Sequence, residues 1–133
     1  MKLITRDTDY AIRALNYIVC NEGRIISITE LVRELEMPKP FLRKLLQLLG
    51  INGILKSYKG KNGGFELARE PDKIFLLDLM QIFQGPFKIS ECLFKKNICP
   101  DQQDCILKIE IDSIEKMVLE KISAITLKSL KKN

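Results

Sequence analysis

Apolar residues first recur along the chain at helical spacing. Ala11, Ile12, Leu15, Ile18 and Val19 mark one face of a helix over residues 8–20. Cys20 ends that face and reads as a small buried hydrophobe, the usual behaviour of free cysteine, and Asn21-Glu22-Gly23 stops the helix. Ser27-Ile-Thr-Glu30 has the form of a capping box, a hydroxyl at the N-cap and a carboxylate three residues on. Ile28, Leu31, Val32 and Leu35 then mark one face of a short helix. Met37-Pro38-Lys39-Pro40 breaks the pattern and restarts it, since proline is tolerated in a first helical turn. Over residues 40–50 Leu42, Leu45, Leu46 and Leu49 point inward and leave Arg43, Lys44 and Gln47 facing out.

Two short helices joined by a tight turn predict a helix-turn-helix. The pattern then switches: Ile54–Tyr58 and Phe65–Ala68 read as strands around Lys59-Gly-Lys-Asn-Gly-Gly64. A glycine-rich tip with two lysines, directly after such a helix pair, has the composition of a DNA-binding wing. Glycine lets backbone approach phosphate closely, and lysine neutralises it or reaches into the minor groove. An ordinary solvated hairpin is the bland alternative. The tip lacks the Gly-x-x-x-x-Gly-Lys-Ser/Thr order of a nucleotide phosphate loop. Beyond Pro71 a short apolar segment with Ile74, Leu77, Met80 and Ile82 or Phe83 predicts a support helix ending at Gln84-Gly85-Pro86. From about Asp104 to Lys131, Leu107, Ile111, Ile114, Val118, Ile122 and Ile125 recur at spacings of four and three. An unbroken helix there would run roughly 42 Å at 1.5 Å per residue. One small domain cannot cover so long an apolar stripe, so the pattern predicts a second copy of the chain as its cover. Two shorter helices folding back on their own domain are the alternative.

Length and composition narrow this picture. The chain has 133 residues, 46% of them apolar and 29% charged, with a formal net charge of +5. That is enough for one folded domain with an appended element and is compatible with a nucleic-acid partner. The N-terminus lacks the apolar core of a signal peptide, and no apolar run is long enough for a membrane span, so a cytoplasmic protein is expected. The chain has no histidine. Its absence removes the commonest general base and the Ser/His and Cys/His nucleophile pairs, which points away from an enzyme with a small-molecule substrate.

Three of the four cysteines, Cys92, Cys99 and Cys105, fall within fourteen residues of a polar segment, separated by six and five residues. In a cytosolic protein such a cluster is more often metal-binding or redox-active than a structural disulfide. Tight zinc knuckles favour Cys-x-x-Cys, whereas wider loops suit a larger thiolate-held body such as an iron–sulfur cluster. Zinc, a thiol–disulfide switch and inert thiols remain open on spacing alone. Three thiolates leave a fourth position for which there is no histidine. Glu91, Asp101, Asp104 or a carboxylate from elsewhere in a dimer could fill it, as a harder and more exchangeable ligand.

Taken in order, Thr8-Asp-Tyr-Ala-Ile-Arg-Ala-Leu15, the helix-turn-helix, the Lys59–Phe65 wing and three cysteines before a long C-terminal helix resemble the IscR/NsrR/CymR-type bacterial repressors, the Rrf family. The resemblance covers residues 1 to about 120. It implies a mainly α fold with a small β-hairpin: a winged helix-turn-helix domain over 1–85, a cysteine-rich sensor loop over 86–105 and a dimerisation helix over 106–133. It further implies a homodimer on a pseudo-palindromic double-stranded DNA operator. Lys39, Pro40, Arg43, Lys44 and Gln47 would lie in the major groove, with Arg43 and Gln47 at base edges and Lys39 and Lys44 at phosphate. Lys59 and Lys61, with Gly60, Asn62 and Gly63 of the same tip, would approach the minor groove or its flanking backbone. In cluster-binding members the equivalents of Cys92, Cys99 and Cys105 hold an iron–sulfur cluster. Members with a histidine ligand place it shortly after the third cysteine, where this chain has Ile106-Leu-Lys-Ile109. Nitric-oxide-sensing members use an N-terminal aspartate of the opposite subunit, and the matching residue is Asp9. Such a set without histidine favours a 4Fe–4S over a 2Fe–2S cluster.

Overall fold

Local signals set the first boundaries. The Ser27 hydroxyl accepts the Glu30 N–H at 3.1 Å and so caps the second helix. Asn21 and Asn52 close the first and third helices by donating side-chain N–H groups to the carbonyls of Tyr17 and Leu48. The computed structural model describes residues 2–89 and 105–131. In order it contains α1 (Arg6–Cys20), α2 (Ile28–Leu35), α3 (Lys39–Ile51), β1 (Leu55–Tyr58), β2 (Gly64–Leu67), a 3₁₀ turn (Pro71–Lys73), α4 (Leu76–Gln84) and α5 (Ile106–Ser123). The expected mainly α fold with a hairpin wing is what forms.

Leu15, Leu31, Leu42, Leu46, Leu49, Ile54, Ile74 and Leu79 meet in one core that joins α1, α2, α3, the hairpin and α4. Each such side chain contributes about 1.5–3 kcal/mol on burial. β1 and β2 pair antiparallel, Leu55 opposite Leu67 and Tyr58 opposite Gly64. A bridge between Ile26 and Phe65, with bonds of 2.9 and 2.8 Å, ties the hairpin to the segment leading into α2. That bridge explains Gly64, because a Cβ there would lie 2.4 Å from the Ile26 carbonyl oxygen. Among the described residues, no helix is long and apolar enough to cross a membrane.

Two expectations are corrected. Cys20 is exposed rather than buried. At 3.6 residues per turn it lies roughly 180° around α1 from Ala11, so the helix that buries Ala11, Leu15 and Ile18 turns Cys20 to solvent. The C-terminal helix also does not run to Lys131; α5 stops at Ser123, a length of about 27 Å. Beyond it the backbone finds partners in the head. Leu76 N–H donates to the Ile125 carbonyl at 3.0 Å, and Leu127 N–H donates to that of Ile74 at 2.8 Å. Thr126 bridges Phe75, and the Thr126 and Ser129 hydroxyls accept each other's backbone N–H groups. Leu127 is thereby buried in the main core, a gain of about 1.5–3 kcal/mol that outweighs the few tenths per residue of a continued helix.

The apolar stripe of α5 is divided for the same reason. Val118, Ile122 and Ile125 pack on Leu76 and Met80 of their own head. Ile106, Leu107, Ile109, Ile114 and Met117 stay exposed, at 75, 69, 58, 48 and 67%. They lie in a second arc of roughly 160° on the helix.

Candidate nucleic-acid interface and sensor residues

Burial of its four leucines orients α3. Leu42, Leu45, Leu46 and Leu49 are inside, and Lys39, Pro40, Arg43, Lys44 and Gln47 are exposed together on the opposite arc. The first turn of α3 carries no acidic residue and Pro38 supplies no side-chain cap, so the partial positive charge of that end is unopposed. At the hairpin tip Lys59, Gly60, Lys61 and Asn62 are exposed. Gly60 adopts φ +102° with open space around it, as the tip of a tight turn requires. Gly63 is half-buried, its Cα so close to the hairpin's own backbone that a Cβ would sit 2.2 Å from the Tyr58 carbonyl oxygen. Its part in the structure is to close the hairpin.

A charged brace holds α1 and the segment after it against α2. Arg24 donates to both oxygens of Glu30, at 2.9 and 2.7 Å, and the Tyr17 hydroxyl donates to Glu30 Oε2 at 2.6 Å. The sequence presents Glu30 as a capping-box acid, but its carboxylate serves this brace. Hydrogen bonds from Arg24, then Tyr17, hold its carboxyl down at about 2. A folded-state value below the ordinary 4.5 means the brace stabilises fully above that pH and is lost as pH falls toward 2. The melting temperature of the wild-type protein should therefore fall between about pH 5 and pH 3, and Glu30→Gln should flatten this decline. Parallel thermal melts across that window check it; equal slopes would remove Glu30 as the cause.

At the other end of α1, Gln84 Oε1 accepts from Thr5 N–H at 3.1 Å and from the fully buried Thr8 hydroxyl at 2.8 Å, while Nε2 donates to the Leu3 carbonyl. The last residue of α4, where the chain departs toward the cysteines, is thus tied to the start of α1. Asp9 follows directly, 47% exposed and ion-paired to Arg13 at 3.1 Å. Arg6 lies over two rings, 5.3 Å from the centroid of Tyr10 and 5.5 Å from that of Phe41, which meet edge to face. Arg6 and Tyr10 are four residues apart and legible as a pair; Phe41, on α3, is not a neighbour the sequence discloses.

Cys105 is the half-buried N-cap residue of α5, and no acidic residue occupies that helix's first turn. Cys105 therefore stands at the end of α5 that carries the partial positive charge of the helix. Cys92 and Cys99 lie outside the described residues, as do Glu91, Asp101 and Asp104. Among the described residues, no three His, Cys, Asp or Glu side chains are grouped to hold a metal ion.

A helix-turn-helix with an exposed basic and amide face, hydrogen-bonded to a lysine-bearing two-strand wing, defines a winged-helix DNA-binding regulator. The family profile described as Rrf2, iron-dependent transcriptional regulator, matches residues 4–133. The chain belongs to the Rrf2 family and is a DNA-binding transcriptional regulator, not an enzyme. It is 32% identical over 123 residues to an HTH-type transcriptional regulator of Aquifex aeolicus (strain VF5), covering 91% of this chain and 85% of that protein. It is 29% identical to the HTH-type transcriptional regulator NsrR of Bacillus subtilis (strain 168), covering 100% of this chain and 92% of that one. The fold superposes on CymR, the global cysteine regulator of B. subtilis, with a TM-score of 0.78 at 25% identity, covering 98% and 96% of the two chains.

Proposed function

We propose that the protein is a homodimeric regulator whose affinity for a pseudo-palindromic operator is set by an iron–sulfur cluster on Cys92, Cys99, Cys105 and Asp9 of the partner subunit. The observation that carries this reading is the donor set: three thiols in fourteen residues, the last on the N-cap residue of α5, in a chain without histidine. Those donors fit a cluster, since thiolate is its ordinary ligand and a carboxylate makes one position exchangeable. When bound, the cluster would supply a redox-active iron centre. The division into a head over 1–85, a sensor loop over 86–105 and a dimer element from 106 onward belongs to the same proposal.

Within this reading the chain's own contacts define the coupling. Gln84 fastens the start of the cysteine segment to α1, and α1 touches the start of α3 through Tyr10 and Phe41. At the other end of α5, Leu127 holds the helix to the head. A change in ligation at Cys105 or Asp9 is therefore felt by elements that position α3. Half-sites must lie about 34–36 Å apart, so a small rotation of either head alters operator affinity. Both B. subtilis relatives are regulators, and the Rrf2 description names iron.

Anaerobic reconstitution of the full chain with iron and sulfide, followed by metal analysis and visible absorbance, tests the reading. A coloured product with stoichiometric iron is expected. A colourless product that takes up zinc or titrates as a reversible disulfide would replace the cluster with a zinc site or thiol switch.

A further inference from the structure

We infer that Arg6 is a DNA-backbone contact, held at the N-terminal edge of α3 by the Tyr10 and Phe41 rings. Three observations converge on it. Arg6 is exposed, and its guanidinium lies 5.5 Å from the ring of Phe41, the third residue of α3; the inference rests on the reading that α3 is the helix presented to DNA. In helix-turn-helix proteins the N-terminal residues of that helix approach the bases most closely. A cation fixed beside this end lies near the phosphates that flank the groove.

The charge of Arg6 is also uncommitted. Among the described residues, no carboxylate pairs with it and no hydrogen bond engages its N–H groups; its partners are two aromatic rings. Arg13 differs, because although it too lies near Tyr10, its charge is answered by Asp9 at 3.1 Å. An aromatic platform restrains a guanidinium without neutralising it. The planar donor fork is left for an anion, and less side-chain freedom is lost when that anion binds. Finally, the surroundings favour a phosphate. Lys39 opens α3, no acidic residue occupies its first turn, and Asp9 is engaged elsewhere. Asp7 is the remaining nearby acid on α1, and it projects roughly 100° around the helix from Arg6.

The platform joins two elements, Arg6 and Tyr10 on α1 and Phe41 on α3. The contact therefore moves with the recognition helix. It supplies affinity for any sequence and no base discrimination.

The test is a salt series of fluorescence-anisotropy titrations, using the full chain and a mixed-sequence duplex of about 30 base pairs. Arg6→Gln is expected to lower the slope of log K against log salt by about 0.9 per subunit and to weaken binding roughly eightfold per subunit near 0.1 M salt. Arg6→Lys keeps the charge without the planar fork, so its slope should match the wild type while affinity falls in part. Circular dichroism establishes that both variants are folded. An unchanged slope in Arg6→Gln overturns the inference even if affinity drops, because a merely structural arginine does not change the number of ions released. A Lys variant whose slope falls to that of the Gln variant overturns it as well.

Discussion

Replacing Asp9 by alanine is expected to strip most of the iron and visible absorbance from the reconstituted protein while leaving the head folded. The structure makes the second half of this outcome quantitative. Asp9 is about half exposed, and its contact is an i,i+4 ion pair with Arg13 on the surface of α1. Such a pair, together with an acid in a helix's first turn, is worth about 0.5–1 kcal/mol. The melting temperature should therefore fall by only about 2–5 °C. A carboxylate ligand, by contrast, has no substitute in alanine. Arg13→Ala is the control, because it breaks the same ion pair and leaves the carboxylate. Iron content should survive in that variant. Equal iron loss in both would trace the effect to the ion pair, and full retention in Asp9→Ala would exclude Asp9 as a ligand.

Met117→Asp is expected to convert a dimer into monomers in sedimentation velocity at micromolar concentration. Met117 is 67% exposed near the middle of the outer arc of α5, flanked by Ile106, Ile109 and Ile114. Covered by a second copy, a carboxylate at that point would be desolvated without a partner, a penalty of several kcal/mol. The head does not depend on Met117, and an aspartate within an exposed helix costs about 0.7 kcal/mol, so the far-ultraviolet spectrum should change little. Operator binding should weaken about 10²–10⁴-fold, because two heads would no longer be held at a common effective concentration. A variant that remains dimeric at full strength would move the interface away from this arc.

Neither Asp9 nor Met117 follows from spacing alone: Met117 is absent from the Leu107–Ile125 stripe and is marked only by its exposure on α5, and the reason lies in what spacing encodes. The four leucines of α3, the Ser27 cap and the Lys59–Gly64 tip are short-range patterns. A helix face, a cap and a hairpin turn need only residues within one or two turns of each other, so the head and its basic face could be read directly. Asp9 was found through a family motif, and its ion pair with Arg13 is again local.

What spacing could not supply came from distant partners. Cys20 has the chemistry of a core residue and lies next to Val19, but helix phase turns it to solvent. Residues 124–131 contain no glycine or proline, yet α5 ends at Ser123, because a strand-like pairing with Phe75 and a place for Leu127 in the core offer more than further helical turns. The same fold-back assigns Val118 and Ile122 to their own head and leaves the other side of α5 uncovered. Arg6 meets Phe41, and Gln84 meets Thr5 and Thr8, across separations that periodicity does not register. Periodicity and capping are energies of adjacent residues and are written in the chain itself. Helix ends, the partner each face selects and the alignment of α1 with α3 are competitions between remote surfaces, resolved when the core closes.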